Sequence, residues 1–176
     1  MRKDVLHKMV LAALFLALAY VMPYLTLQIP QIGQMLCPLH IPVIICGFIC
    51  GWKWGLTIGF IAPLLRSLTI SMPPLYPNAI AMAFELATYG SIAGLIYQLL
   101  PKKKVFIYVS LLIAMVAGRI IWGSAMFTLL GIKGDSFTFS SFITGAIINS
   151  IPGIIIQIIL IPLIIMLIKD KRINKS

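Results

Sequence analysis

The stretch from Asn78 to Lys104, NAIAMAFELATYGSIAGLIYQLLPKKK, decides the fold. It opens on Asn78, a residue type that caps helix N-termini, and runs to Leu100 with Glu85 as its one charged side chain. That run is long enough to cross the ~30 Å hydrocarbon core of a bilayer as a helix, for which about 20 apolar residues suffice. Lys102, Lys103 and Lys104 follow at once, and cations gather on the cytoplasmic side of membrane proteins. The stretch therefore reads as a span that starts at the outer face and ends at the inner one.

Outward from it the same alternation repeats. The chain has 176 residues, 61% of them hydrophobic and 10% charged, with a mean hydropathy of +1.06. Eleven of its 14 Lys and Arg residues fall at four stations: Arg2/Lys3/Lys8, Lys53, Lys102 to Lys104, and Lys169/Lys171/Arg172/Lys175. Apolar stretches separate the stations. The expected fold is an all-α membrane protein, a single integral domain over residues 1–176 with both termini cytoplasmic. Its six spans are expected at about 7–24, 39–50, 54–68, 78–100, 105–130 and 141–168. Gly51-Trp52-Lys53 forms an inner return, and Pro73, Pro74 and Pro77 hold the outer loop from Thr69 to Pro77 extended. The net charge of +10 is a set of topogenic anchors rather than a continuous nucleic-acid-binding face.

Several function classes lack their parts. There is no H-E-x-x-H, no G-x-S-x-G and no pair of carboxylates for acid–base work, so no enzyme is expected. No phosphate-cradling G-x-x-x-x-G-K-[ST] is present, so the chain does not drive transport with ATP itself. Cys37, Cys46 and Cys50 are too few and too apolar in setting for a disulfide framework. Cys37 and His40 have a C-x2-H spacing but no second pair of ligands, and no metal is expected. The basic N-terminus with its apolar run resembles a signal peptide, yet the run continues from Met9 through Leu27, and a retained first helix is expected. Gly47, Gly51, Gly55 and Gly59, and Ala13 with Ala17, have the four-residue spacing that lets membrane helices approach closely, either within the chain or between chains.

Ionisable groups within spans are costly, so each needs a partner or a task. At ~1.5 Å per residue, Arg66 lies about 18 Å and Arg119 about 21 Å from the inner ends of their helices. Glu85 lies about 10 Å below its outer end, and Asn149 about 12 Å below Ser141 by the same rise. These four converge on one depth. Helical spacing adds Asn78 and Tyr89 to the face of Glu85, and Trp122 to that of Arg119. Aromatic surfaces with a few directed polar groups suit a small-molecule pocket. Two arginines against one glutamate leave a positive charge that a ligand anion neutralises. The competing reading is an Arg119–Glu85 ion pair that only pins helices. His40 either caps backbone groups or touches ligand, and Gln157 is a helix-packing polar group.

Four blocks carry a family resemblance: MLCPLHIPVIICGFICG (35–51), PLLRS (63–67), the Met72-Pro-Pro loop and AFELATYG (83–90). Together with the six-helix layout they resemble the substrate-binding S component of energy-coupling factor (ECF) vitamin transporters. The resemblance implies capture of a vitamin or related micronutrient at the outer face of the bacterial cytoplasmic membrane. It implies docking on a T component and two ATPase subunits, which use the ATP, with no cofactor in this chain. An alanine motif that contacts the T component falls on Ala13 and Ala17. Loops that cover the ligand fall on Leu25 to Pro38 and Thr69 to Pro77. The arginines favour an anionic vitamin, pantothenate first, with biotin, folate, niacin and a pyridoxine or pyrimidine precursor also open. The alternative is a structural or assembly subunit of a membrane complex.

Overall fold

A computed structural model describes residues 2–26, 29, 33, 35–101, 103–134, 138–146 and 148–173, which are helices and turns with no strand among them. Helix α1 spans Arg2–Val21 and runs into a 3-10 turn, Met22–Thr26. Then come α2 (His40–Cys50), α3 (Trp52–Ile70), a π-helical turn (Leu75–Ala79), α4 (Ile80–Leu99) and α5 (Lys104–Lys133). The C-terminal part is α6 (Phe139–Ala146), a 3-10 turn (Ile148–Ser150) and α7 (Ile151–Ile173). Among the described residues, four segments are long and apolar enough to cross a membrane: Lys3–Tyr24, Leu75–Leu99, Lys104–Lys133 and Ser140–Ile168.

The two remaining expected spans differ in kind. Helix α2 is apolar, but its 11 residues reach only about 16 Å at ~1.5 Å each, half the hydrocarbon thickness. Helix α3 has 19 residues but carries Lys53, Arg66 and Pro63. Gly51, at φ 100°, separates the two, a conformation that side chains with a Cβ rarely adopt.

Three boundaries depart from expectation. Helix α3 continues to Ile70 and ends at Ser71, which takes a left-handed conformation, so the following loop starts later than Thr69. Asn78 does not cap α4: it lies inside the π-helical turn, and the capping position, Ala79, makes no side-chain bond. The backbone serves instead, with Ala79 N–H donating to Pro74 O at 3.0 Å. The last span is broken upstream of Pro152, which has no N–H to donate to a preceding turn and so fits only the first turn of α7. Of the expected ligand-covering loop at Leu25 to Pro38, residues 27, 28, 30–32 and 34 lie outside the described set.

Helix α4 is the centre of the packing, and glycines let α2 and α3 reach it. A Cβ on Gly55 would lie 2.5 Å from Gly90 O, and one on Gly94 would lie 2.5 Å from Gly47 O. Gly47 and Gly59 press likewise on the backbones of Gly90 and Leu86. The four-residue glycine spacing is therefore spent on contacts within the chain.

Side-chain contacts sort the two ends of the bundle. Gly51 meets the Gln98 amide at one end, where Lys8 lies within electrostatic reach of Cys50, and Lys53, Lys103 and Lys104 are exposed there. At the other end Tyr20 OH donates to Thr69 Oγ1 at 3.1 Å, and Tyr76 OH donates to Leu129 O. Lys8, Lys53, Lys103 and Lys104 thus share one end.

Candidate functional site

Glu85 is the hub of a buried polar cluster nearer the end opposite the lysines. It projects from the second turn of α4 and is 2% exposed. Arg119 Nη1, from the middle of α5, donates to its Oε1 at 2.9 Å. Tyr89, one turn along α4, donates its OH to the same oxygen at 3.0 Å. His40 Nε2 stands 3.5 Å from that oxygen, without hydrogen-bond geometry.

The start of α2 orients the imidazole. His40 N–H donates to Cys37 O at 3.1 Å, and Nδ1 lies 3.2 Å from the same carbonyl. A carbonyl only accepts, so Nδ1 carries a proton and Nε2 is the atom turned to Glu85. The C-x2-H spacing therefore works through a backbone oxygen. Cys37 adopts φ 47°, and its Sγ accepts from Arg119 Nη2 at 3.9 Å. No group of three or more His, Cys, Asp or Glu suited to a metal occurs among the described residues.

Gly118 makes room for this arrangement. A Cβ there would strike the ring of Tyr89, which in turn lies 5.2 Å from the His40 ring. Gly118 did not stand out in the sequence, although a glycine directly before an intramembrane arginine was a usable signal, and Cys37 was weighed only for a disulfide or a metal.

Not every expected member joins the cluster. The structure turns Arg66 elsewhere: its Nη1 donates to Tyr20 O at 3.1 Å, and its guanidinium lies 5.5 Å from the Tyr24 ring centroid. It caps a carbonyl in the last turn of α1, where cations are favoured. Asn149 is exposed in the 3-10 turn, outside the regular helix along which its depth was counted. Asn78 is half-buried in the turn before α4. Trp122 stacks on Phe142 with centroids 6.4 Å apart, against Gly145.

Beside that stack an open groove of about 580 Å³ lies between α5 and α6, lined by Ile120, Ser124, Phe127, Thr128, Thr138 and Phe142. Its hydroxyls are paired locally: Ser124 donates to Ile120 O and Thr128 to Ser124 O, both at 2.9 Å. The groove thus presents an apolar, aromatic wall one turn beyond Arg119.

An intramembrane carboxylate bonded by Arg119 and Tyr89 and faced by His40 suits a membrane protein that handles a solute. Residues 7–165 match the family described as ECF transporter, substrate-specific component. The chain belongs to this family. Neither a curated protein nor a solved structure matches it. As an ECF substrate-specific component it is a membrane protein and the substrate-binding subunit of a transporter. Membership implies a small-molecule substrate and, as partners, a T component and ATPases.

Proposed function

We propose that this ECF component captures a vitamin or related micronutrient at the outer face of a bacterial cytoplasmic membrane and hands it to a T component and two ATPases that consume ATP. In this reading the chain is one integral domain. Its six passes include the short α2 and the more polar α3, with both termini on the cytoplasmic side. The gathering of Lys8, Lys53, Lys103 and Lys104 at one end supports that orientation.

One observation carries the assignment of the site. Arg119 binds Glu85 and Cys37 through its terminal nitrogens, yet its buried Nε–H has no acceptor. A ligand carboxylate supplies one, and pantothenate, which carries a carboxylate and an amide, stands first among the vitamins. Glu85 already balances the charge of Arg119, so the attraction is a directed hydrogen bond more than a surplus of charge. His40, Tyr89 and Trp122 complete this ligand set. Arg66, Asn78 and Asn149 act at its margin, Arg66 by fixing the end of α1.

Ala13 and Ala17 are exposed on α1 while Ala12 and Ala19 are buried against α2 and α3, which supports an outward small-residue face for the T component. The test is thermal-shift screening of the purified protein against pantothenate, biotin, folate, niacin and pyridoxine, with mass spectrometry of co-purified molecules. One ligand is expected to raise the melting temperature, and Arg119→Ala to abolish the shift.

The completed Glu85–Arg119 pair also favours a second reading, a structural or assembly subunit whose ion pair only locks α4 to α5. Under it no small molecule stabilises the protein.

A further inference from the structure

Gln157 is the least explained polar group in the molecule. It lies on α7 and is 1% exposed, and neither its Nε2 nor its Oε1 has a hydrogen-bond partner. Exchanging the two atoms changes nothing, because both are unpaired. Its neighbours on α7, Ile154, Ile158 and Ile161, pack in one apolar cluster with Ile41 and Ile44 of α2, Tyr89 of α4 and Met115 of α5. Ile41 follows His40, and Met115 lies one turn from Arg119. The amide is therefore enclosed by the helices that carry the Glu85 cluster.

An amide without a partner in an apolar surround is unfavourable, and leucine of similar size would pack there without that penalty. Helix packing alone does not account for glutamine at this position. At the Glu85 cluster itself, His40 Nε2 on α2 and Arg119 Nε on α5 are likewise without a hydrogen-bond partner, so α2, α5 and α7 each bring unmet hydrogen-bonding capacity to this region.

We infer that Gln157 is a specificity-determining residue that binds a neutral donor–acceptor edge of the substrate, such as a carboxamide or lactam, through both atoms of its own amide. The chemistry of the edge follows from the two orphans. An ionised carboxylate only accepts and would leave Oε1 without a donor; an ammonium only donates and would leave Nε2 without an acceptor. A primary carboxamide or a lactam, whose N–H and C=O point the same way, presents both side by side. The local charge agrees, since Glu85 and Arg119 already neutralise each other. This inference rests on the proposed role as a solute-binding subunit.

Ligand binding and folding respond to Gln157→Leu in opposite directions. The full-length protein is purified, and the member of the vitamin panel that stabilises it is titrated against wild type, Gln157→Leu and Gln157→Met. Both variants are expected to melt no lower than wild type without ligand and to bind at least about tenfold more weakly. Wild-type affinity in either variant overturns the inference while leaving the proposed function standing, and marks the amide as a water-binding or packing group. Should no panel member bind wild type, the proposed function falls and this inference with it.

Discussion

Arg119 Nη1 donates to Glu85 Oε1 at 2.9 Å and so ties the middle of α5 to the second turn of α4. Around that bond Tyr89, His40 and Cys37 approach from α4, α2 and the segment before α2. The bond is structural in its geometry whether or not a ligand later shares the arginine. The same contact therefore has to be tested for stability and for binding separately.

Removing one charge strands the other in a low-dielectric interior, whereas removing both strands neither. Glu85→Gln and Arg119→Met are each expected to cost about 3–5 kcal/mol, and the double variant much less than their sum. Thermal denaturation in detergent measures this coupling. Additive losses would show that the two side chains do not depend on each other. The double variant keeps its fold and is expected to bind no ligand.

Gly118→Ala drives a methyl group into the Tyr89 ring. Overpacking of this kind costs about 1–3 kcal/mol, and here it also pulls the Tyr89 hydroxyl off Glu85. A lowered melting temperature with weakened ligand binding is expected. Phe replacing Tyr89 in the Gly118→Ala background should add little further loss, because the hydroxyl contact is already gone.

Glycines at α4 and at the end of α5 should respond with opposite sign. A Cβ on Gly90 would lie 2.6 Å from the Gly55 carbonyl carbon, while one on Gly131 meets nothing within 4 Å. Gly90→Ala is expected to destabilise by at least about 1–3 kcal/mol. Gly131→Ala, within helix α5, should be neutral or stabilising by up to about 1 kcal/mol through helix propensity. Equal melting temperatures for the two variants would refute the close approach of α3 to α4.

On α1, bulk should matter on one face for partners and on the other for folding. Ala13→Leu and Ala17→Leu are expected to leave ligand binding and melting temperature intact and to abolish co-purification with the T component. Ala12→Leu, at a position 2% exposed against α2 and α3, should lower the melting temperature instead. Pull-down of the T component by Ala13→Leu at the wild-type level would exclude the proposed docking face.

Much of this was legible in the chain. The alternation of apolar runs with Lys stations pointed to an all-helical membrane protein, and Gly51 marked the break between α2 and α3, although the helix resumes at Trp52 and takes in Lys53 instead of starting at residue 54. Glu85 and Arg119 stood out because each is a charge inside an apolar run. Their pairing was one of two open readings, and Tyr89 was found on the face of Glu85 by helical spacing. Arg66 misled for the same reason that Arg119 was informative. Depth along a helix is readable from residue counts, but the azimuth that turns Arg66 toward the Tyr20 carbonyl depends on where α1 packs. Asn149 misled because it falls in the 3-10 turn Ile148–Ser150, which interrupts the regular helical rise on which its depth was counted.

What the sequence by itself determined is what accumulates along the chain: helical class, apolar spans, basic ends, and the presence of Glu85 and Arg119 as charges inside apolar runs. Hydrophobicity, charge and turn chemistry are local, so they can be summed residue by residue. Only the tertiary structure decided who meets whom. It turned the glycine series inward onto α4, gave Arg119 to Glu85 and Arg66 to Tyr20, and left Gln157 enclosed without a partner. Those outcomes depend on the rotation and approach of helices distant in sequence, and close packing between them is a property of pairs that no single segment contains.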